Sequence, residues 1–423
     1  MANFWIMETS VNHEPTSYWQ RSVPPTALSV DLPSVVDVAV VGGGLLGAAT
    51  CYWLARTGAA VVLLERTGLA SGATGRNGGI VSIGTAESYP RVIAWLGHAT
   101  ARAVWMLTLE NRALLRQVLA EERIECDYRE VGHLSLALSE EHLRECAQMV
   151  TALQADGVAA TLLDRGQVQA LIDTPLGPEI VGGKFTPEQG LVHSARLVHG
   201  LVGAAQQHGA HTCLATVTRI TADGAGVLVA TPGGTVRAGA VVVAINAWTD
   251  ELLPVFAGQI TPVRGQVLAY APITSVFRMG MSVALTPTGE YWQQTRDGTI
   301  VLGGCRAVAA GDDVDVRVSQ PTLEVQTALE QVLPRLFPQL GGLRVQHRWA
   351  GLMAFTPDYL PIADGAPDMP GVWVVGGFSG HGMTFGLRLG QLLAEAATSG
   401  RSPVALVPFR LDRPTLMHPH QLP

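Results

Sequence analysis

Residues 37–65 read DVAVVGGGLLGAATCYWLARTGAAVVLLE, and this stretch decides the fold. The apolar run Asp37–Val41 is typical of a buried strand, and the glycine-rich turn Gly42–Gly47 follows it directly. A helix is predicted after the turn, with Gly58 placed to end it. The apolar run within Ala60–Glu65 indicates a second buried parallel strand. The stretch therefore predicts a strand–turn–helix–strand unit.

The glycines of this turn fit the dinucleotide-binding pattern G-x-G-x-x-G. Glycine permits a tight turn and lets the backbone approach a pyrophosphate, which the positive N-terminus of the helix stabilises. Glu65 ends the next strand 18 residues after the last glycine, where a carboxylate can accept a hydrogen bond from the adenosine ribose. An acid at this position favours NAD or FAD over NADP. The predicted binding residues of the unit are Gly42, Gly44, Leu45, Leu46, Gly47, Glu65 and Arg66.

The overall composition excludes several classes of function. The chain has 423 residues, enough for one to three domains, and its net charge of −7 argues against a general electrostatic grip on nucleic acid. Its five cysteines are scattered without metal-ligand spacing, so neither a disulfide framework nor a metal site is predicted. Residues 1–33 lack the layout of a secretion signal, and a cytoplasmic location is expected. The oligomeric state is not predicted.

One uncharged stretch raises the question of a membrane span. Val38–Ala55 carries no charge for 18 residues, which is long enough for a spanning helix. Three consecutive glycines would weaken such a helix, and the same stretch divides into the strand and the helix described above. We therefore predict no membrane span.

The rest of the chain is predicted to alternate between helices and strands. Residues 90–125 read as one helix from the spacing of their apolar side chains. Further helices are predicted at Glu140–Ala155, Ala195–His208, Leu323–Leu333 and from Met383 to Thr398. Strands are predicted at Leu134–Leu138, His211–Ile220, Gly226–Thr231, Val236–Asn246 and Val372–Val375, with a strand-rich block from Thr261 to Arg306.

These elements predict a nucleotide-binding domain assembled from both ends of the chain and a separate sheet domain formed by the middle. The N-terminal arm, rich in proline, serine and aromatic residues, is expected to wrap the surface. The predicted divisions are the arm at 1–34, the nucleotide-binding domain at 35–90, 190–258 and 345–400, the substrate domain at 91–189 and 259–344, and a C-terminal tail at 401–423.

Five stretches read in order resemble the D-amino-acid-oxidase-like flavoprotein family, which includes glycine oxidase and sarcosine oxidase. They are VAVVGGGLLGAA with VVLLER, SGATGRNGG, VVVAINAWT, HRWAGLMAFTPDYLPIAD and VVGGFSGHGMTFG. The likeness runs from about Val36 to Thr398, and the GRNGG form with Tyr18-Trp19 looks closest to the γ-glutamylputrescine oxidase group. The resemblance implies an α/β fold, with a Rossmann-like FAD-binding domain and a second, mixed or antiparallel sheet domain for substrate.

The loop Ser71–Gly79 has small residues that would let a flat ring pack against its backbone, although its composition also suits a flexible surface loop. The resemblance implies that this loop lines the flavin ring and ribityl chain. It also implies that backbone amides at a helix N-terminus face the pyrimidine end of the ring. The residues implied at the ring and ribityl chain are Thr74, Asn77, Gly78 and Gly79, and those at the helix N-terminus are Gly380, His381, Gly382 and Met383. The resemblance also implies that Val217 meets the adenine through its backbone and that Asn246 to Trp248 close one side.

The sequence departs from the family pattern at three points. Glycine oxidase and D-amino acid oxidases carry a substrate-binding arginine where this chain has Met353, which puts a simple α-amino acid substrate in doubt. The cysteine that binds flavin covalently in monomeric sarcosine oxidase would fall near Gly351 and is absent, so non-covalent FAD is expected. The oxygen-activating lysine of that enzyme has no counterpart in Thr299–Leu302, so rapid reaction with oxygen is not assumed.

Three side chains are candidates for the substrate site. Tyr291 begins a predicted strand where related oxidases have a tyrosine that touches substrate, or it is a packed strand aromatic with its hydroxyl at the surface. Arg306 could replace the missing carboxylate clamp, or it is simply solvated. Arg264 is a weaker candidate for the same clamp and could instead pin a strand turn.

His381 is the titratable candidate of the C-terminal glycine loop. It could shape substrate binding or supply positive charge for oxygen reduction, or the loop could act through its backbone alone. The acidic residues Asp312, Asp313 and Asp315 lack the glycine and the terminal glutamate of a calcium loop, so a solvated turn is expected.

The sequence thus predicts an FAD-dependent amine or amino-acid oxidase. It would transfer hydride from an amine carbon to flavin and leave an imine that hydrolyses to a carbonyl compound, with oxygen reduced to hydrogen peroxide. The expected partners are a small amine or amino-acid substrate and oxygen or another electron acceptor. The alternatives are a dehydrogenase that reduces a quinone or carrier, a nicotinamide-dependent reductase and the flavin-binding subunit of a larger complex.

Overall fold

The computed structural model describes residues 16–283 and 289–417. Its strands are β1 (Val35–Val41), β2 (Val61–Glu65), β3 (Ile80–Val81), β4 (His133–Ala137), β5 (Thr161–Asp164), β6 (Gly182–Thr186), β7 (Gly190–Leu191), β8 (His211–Leu214), β9 (Arg219–Ala222), β10 (Val227–Thr231), β11 (Gly234–Val243), β12 (Thr261–Tyr270), β13 (Gly280–Val283), β14 (Tyr291–Gln294), β15 (Ile300–Gly303), β16 (Val345–Phe355), β17 (Ile362–Gly365) and β18 (Val372–Gly376). Its α-helices are α1 (Tyr18–Arg21), α2 (Leu45–Arg56), α3 (Tyr89–Leu96), α4 (His98–Glu121), α5 (Glu140–Ala155), α6 (Arg165–Ala170), α7 (Ser194–Gln207), α8 (Thr249–Leu252), α9 (Leu323–Leu336), α10 (Gly382–Ser399) and α11 (Pro414–Met417).

The first sheet forms around the glycine-rich unit and has the strand order β17–β18–β11–β1–β2–β8, with β10 and β9 added beside β11. β1 pairs in parallel with both β2 and β11, and α2 connects β1 to β2 as predicted. Two glycines of α10, Gly386 and Gly390, face Leu45 and Ala49 of α2, where a Cβ would come within 2.4 and 2.7 Å of their side chains. The two helices therefore pack closely, and each begins at the same edge of the sheet.

The second sheet has the order β16–β12–β15–β14–β13–β4–β6–β5. Its neighbouring strands run antiparallel, except for the parallel pair β13–β4. Because side chains alternate between the faces of a strand, β4 directs Leu134 and Leu136 into the core beneath this sheet. His133 and Ser135 lie on the opposite face, which forms one wall of a large cleft. The predicted mixed or antiparallel second sheet is confirmed.

Several predicted boundaries are wrong for identifiable reasons. The helix predicted over 90–125 is two helices, because Gly97 adopts a φ of 75° between α3 and α4. The strand predicted at His211–Ile220 is interrupted after Leu214, and the predicted end at Asn246 overruns β11, which stops at Val243. α9 continues through Pro334 to Leu336, since a proline in the last turn removes few helix hydrogen bonds.

The described part of the N-terminal arm does more than wrap the surface. α1 begins at a capping box formed by Ser17 and Gln20, and the Trp19 side chain is only 1% exposed. In the described ranges, no helix is long and apolar enough to cross a membrane. The domain divisions remain a prediction; Val345–Phe355, which they assign to the nucleotide-binding domain, pairs along β12 in the second sheet.

Candidate functional site

The turn between β1 and α2 can be built only with glycine at two positions. Gly42 has a φ of +111°, and a Cβ there would lie 2.6 Å from the Ala244 carbonyl oxygen of the neighbouring strand connection. A Cβ on Gly47 would lie 1.9 Å from the Gly42 carbonyl oxygen. The backbone is therefore compact here, and the N-cap residue Gly44 has no side chain to cap α2, whose first residues Leu45 and Leu46 line the cleft.

Glu65 is fixed beside this turn at the end of β2. Its Oε2 accepts a hydrogen bond from the Gly43 N–H at 2.7 Å, and its Oε1 accepts from the N–H groups of Thr67 at 2.8 Å and Gly68 at 3.2 Å. The side chain is buried, and it lines the cleft. Oε1 also accepts from the Ser71 hydroxyl at 3.4 Å, whereas Oε2 accepts, among the described residues, only the Gly43 N–H and so keeps capacity for a ribose hydroxyl.

The Ser71–Gly79 loop is an ordered wall of the cleft, and the alternative of a flexible surface loop is wrong. The Thr74 hydroxyl accepts from the Leu45 N–H at 3.1 Å, which joins the loop to the first turn of α2. Arg76 is buried and donates to the carbonyls of Ser71 at 2.9 Å and Ala350 at 2.8 Å. Gly78 and Gly79 are buried as well, and both line the cleft.

The far end of the chain supplies the opposite end of the cleft. His381 is the N-cap residue of α10, and no side chain of the described residues caps this helix either. Burial lowers the pKa of His381, whose Nδ1 lies 3.3 Å from the Ser379 carbonyl oxygen. Asn246 accepts from the Gly377 N–H at 3.0 Å, and the Arg66 guanidinium lies 4.9 Å from the ring centre of Trp248.

The cleft that these elements enclose has a volume of about 1410 Å³. The N-termini of α2 and α10 both line it, and neither is capped by the side chain of its own N-cap residue, so both can stabilise negative charge. The volume of the cleft and its two helix N-termini suit FAD, whose negatively charged diphosphate such a terminus could hold. The predicted site residues that line the cleft are Gly42, Gly44, Leu45, Leu46, Glu65, Arg66, Thr74, Asn77, Gly78, Gly79, Val217, Asn246, Trp248, Tyr291, Arg306, Met353, Gly380, His381, Gly382 and Met383.

Tyr291 joins the two halves of the site. Its ring lies between Gly78 of the loop and Gly303 of β15, where an added Cβ would come within 2.5 and 2.4 Å of tyrosine atoms. The ring therefore packs against backbone on both sides, and burial raises the pKa of its hydroxyl to about 12. The side chain lines the cleft, which contradicts the alternative of a hydroxyl at the outer surface.

The other residues considered for substrate binding differ in whether they line the cleft. Arg306 lines the cleft with its guanidinium 5.0 Å from the ring centre of Phe355. Met353 lies beside Gly265, where its Cε would be 3.0 Å from an added Cβ. Arg264 instead binds Asp313 through two hydrogen bonds of 2.9 and 2.6 Å, so it pins a turn rather than facing the cleft. Across the described ranges, no group of acidic, histidine or cysteine side chains is arranged to hold a metal ion.

Sequence reasoning missed a polar row on the second sheet. The register aligns Lys184 of β6 with Ser135 of β4, Ser282 of β13 and Tyr291 of β14, and His133 lies beside the row. All five side chains line the cleft. Two signals were present in the sequence: Lys184 is the single lysine of the chain, and His133 and Ser135 alternate with leucines along β4. Neither signal showed which element the strand would face.

Comparisons with known proteins agree with this geometry. The family described as FAD dependent oxidoreductase matches residues 37–396. Gamma-glutamylputrescine oxidoreductase of Escherichia coli (strain K12) is 29% identical over 383 residues, which cover 85% of this chain and 83% of that protein. Glycine oxidase of Geobacillus kaustophilus (strain HTA426) is 27% identical over 387 residues, which cover 89% of this chain and 97% of that protein. The crystal structure of glycine oxidase from Geobacillus kaustophilus superposes with a TM-score of 0.78 at 24% identity, over 90% of this chain and 99% of that one.

Proposed function

The chain belongs to the FAD-dependent oxidoreductase family, and we propose that it oxidises a C–N bond of a small amine that enters the cleft beside Tyr291. Bound FAD would supply the chemistry by accepting a hydride from the carbon next to nitrogen, which leaves an imine that water hydrolyses to a carbonyl compound. The observation that carries the proposal is the packing of Tyr291 against Gly78, because it brings the substrate wall into contact with the loop proposed to line the flavin ring.

The residues of the chain would bind and orient the amine. The ring of Tyr291 is held by backbone on two sides, so it offers a fixed wall against which the reacting carbon can be positioned. Burial keeps its hydroxyl protonated, which makes it a hydrogen-bond donor to the substrate rather than a base. Met353 adds an apolar contact where an arginine would bind an α-carboxylate, which supports a substrate other than a simple α-amino acid.

His381 would act at the α10 end of the cleft. Burial lowers its pKa, so in the free protein it is held neutral near pH 7. Negative charge arriving at the N-terminus of α10 would favour its protonated form and be stabilised by it. We propose that this residue and the amides of Gly382 and Met383 stabilise the charge that accumulates at this end during turnover.

The proposed mode of FAD binding is non-covalent. All five cysteines are buried, and within the described ranges none of them lines the cleft. Precipitation of the purified protein with acid should therefore release flavin into the supernatant. Flavin that remained in the protein pellet would contradict this assignment.

The function is tested by adding amines and both enantiomers of amino acids to the yellow holoprotein without oxygen. We expect loss of the flavin colour with amines and no response to simple D-amino acids. A Tyr291→Phe variant should still be reduced, but more slowly, because it loses a hydroxyl donor and keeps the ring. Protein that binds FAD and is bleached by no amine would overturn the proposal and favour a non-catalytic flavin subunit, and colourless protein would favour a nicotinamide reductase.

We propose oxygen as the electron acceptor and hydrogen peroxide as its product. The sequence feature that favours a dehydrogenase instead is the absence of lysine from Thr299–Leu302. Admitting air to the amine-reduced protein and measuring peroxide separates the two candidates. Reoxidation that is slow in air and fast with an artificial quinone acceptor would replace the oxidase with the dehydrogenase.

A further inference from the structure

The single lysine of the chain lies in the wall of the proposed substrate site. Lys184 belongs to β6, pairs with Ser135 of β4, and lines the same cleft as Tyr291. The other 27 basic residues of the chain are arginines, most of which lie in salt bridges or on the surface. Four arginines line the same cleft: Arg66 and Arg306 lie beside aromatic rings, Arg76 donates to backbone carbonyls, and Arg317 pairs with Asp250. Lys184 makes no such contact among the described residues and differs from them in this respect.

Among the residues that the structure describes, no carboxylate forms a salt bridge with Lys184. Burial lowers the pKa of its ammonium group, and a buried cation without a counter-ion is costly. Glu87 and Glu290 also line the cleft, away from the nucleotide end, but each pairs with an arginine. Glu87 lies 3.2 Å from Arg91, and Glu290 lies 3.9 Å from Arg335. An anionic ligand would offset the cost at Lys184.

The neighbours of Lys184 are arranged to donate hydrogen bonds. The Ser282 hydroxyl donates to the Ser135 oxygen at 3.2 Å, so its own oxygen is left to accept from His133 Nε2 at 2.9 Å. This direction leaves the Ser135 hydroxyl with its proton available. His133 is 8% exposed, and its Nδ1 is buried without a partner in the described structure. The chain of bonds thus ends in a donor one strand away from the ammonium group.

The position of Lys184 and Ser135 in the sheet determines how far an anion bound there would lie from a carbon that reacts beside Tyr291. Lys184 and Tyr291 occupy the same row of the sheet and are separated by β4 and β13. Three strand spacings of about 4.8 Å place their Cα atoms about 14 Å apart. A substrate whose carboxylate is on the reacting carbon cannot contact both residues. A substrate whose carboxylate lies several bonds away from that carbon can place the carbon at Tyr291 and the carboxylate at Lys184.

We propose that Lys184, assisted by the Ser135 hydroxyl, binds a carboxylate that the amine substrate carries several bonds away from the oxidised C–N bond. The proposal deepens the proposed function and rests on it. It also agrees with Met353: the arginine that would bind an α-carboxylate is absent, and Lys184 lies farther along the same cleft, which Arg306 lines as well. The substrate class is therefore an extended amine with a distal carboxylate.

The test uses the oxidised holoprotein and ligands that it cannot oxidise. Saturated monocarboxylates from acetate to hexanoate and the matching neutral amides are titrated by calorimetry and by perturbation of the flavin spectrum. We expect the longer carboxylates to bind at least about tenfold more tightly than their amides, as a charge-assisted contact would give. Lys184→Met should remove this preference and leave amide binding within about twofold, and Lys184→Arg should retain most of it.

Arg278→Met provides a matched control, since it removes one positive charge from an exposed residue of the same sheet region and should leave carboxylate binding unchanged. Equal carboxylate binding by the wild type and by a Lys184→Met variant with full flavin content would overturn the proposal. So would a shifted pH profile of flavin reduction with unchanged carboxylate binding, which would indicate a base. Bleaching by amines is measured separately, so a wild-type protein that amines bleach but that binds carboxylates no more tightly than amides refutes this inference and leaves the proposed function standing.

Discussion

The two walls of the cleft differ in how far the protein satisfies its own polar groups. On the nucleotide side, Glu65 accepts backbone hydrogen bonds through both oxygens, and Arg76 donates to two carbonyls. On the second sheet, His133 keeps an unpartnered buried nitrogen and Lys184 lies without a salt bridge in the described structure. The first wall is organised before any ligand binds, whereas the second would be completed by the carboxylate ligand proposed above.

The difference follows from what each wall must recognise. A dinucleotide is the same in every turnover, so its cradle can be built from fixed backbone and short hydrogen bonds. A substrate must enter and leave, and unsatisfied groups supply binding energy that is gained only when it is present. The predictions below test the preorganised wall first and the incomplete wall last.

The largest effect is expected at the turn. In Gly47→Ala the new Cβ would lie 1.9 Å from the Gly42 carbonyl oxygen, so the turn must open. We expect a loss of at least about 4 kcal/mol of unfolding free energy together with the bound flavin. Flavin absorbance and thermal unfolding measure both.

The control for this prediction is Gly203→Ala on α7, where an added Cβ meets nothing within 4 Å. This change should stabilise the protein by about 0.5–1 kcal/mol because it restricts the unfolded chain. Normal flavin content in Gly47→Ala would show that the turn is not the rigid cradle described above.

A smaller loss of stability is expected when the contact between the N-terminal arm and the nucleotide wall is weakened by substituting Trp19. Trp19 donates to the Asn77 carbonyl at 2.6 Å, and the Ser17 hydroxyl donates to the Gly75 carbonyl. α1 and its N-cap residue therefore support the Ser71–Gly79 loop on the side away from the cleft. Trp19→Ala should cost about 3–5 kcal/mol of unfolding free energy and weaken FAD retention. Trp19→Phe keeps the packing and should cost about 1 kcal/mol. Equal FAD affinity in all three proteins would separate the arm from the cofactor site.

The two walls of the cleft also differ in how much of their structure could be predicted from the sequence. The turn and Glu65 were predictable because their spacing within one short unit fixes their geometry. Trp19 was seen as part of the family resemblance, but its insertion behind residues 75–77 depends on contacts across 58 residues of chain. Lys184 and Ser135 meet only through the register of β6 and β4, and a shift of one strand by one residue would place its side chain on the other face.

The smallest of the three effects concerns His133 on the incomplete wall. Burial, together with the positive charges of Lys184 on β6 and His381 before α10, lowers its pKa from 6.5 to about 3. Between about pH 6.5 and pH 3, His133 is therefore protonated in the unfolded chain and neutral in the folded protein. The unfolding free energy falls as the pH drops through this window. At about pH 5 this histidine alone should account for about 2 kcal/mol.

His133→Gln removes that contribution and retains a polar side chain, so the difference in unfolding free energy between the variant and the wild type should change by about 2 kcal/mol between about pH 7.5 and about pH 5. The pKa of His193 is lowered as well, to about 4, but it is present in both proteins and cancels in the comparison. Denaturant unfolding at the two pH values gives the result. Parallel pH profiles would mean that the folded protein protonates His133 as readily as the unfolded chain does. The second sheet would then be a hydrated surface, and the contrast between its polar row and the preorganised nucleotide wall would be lost.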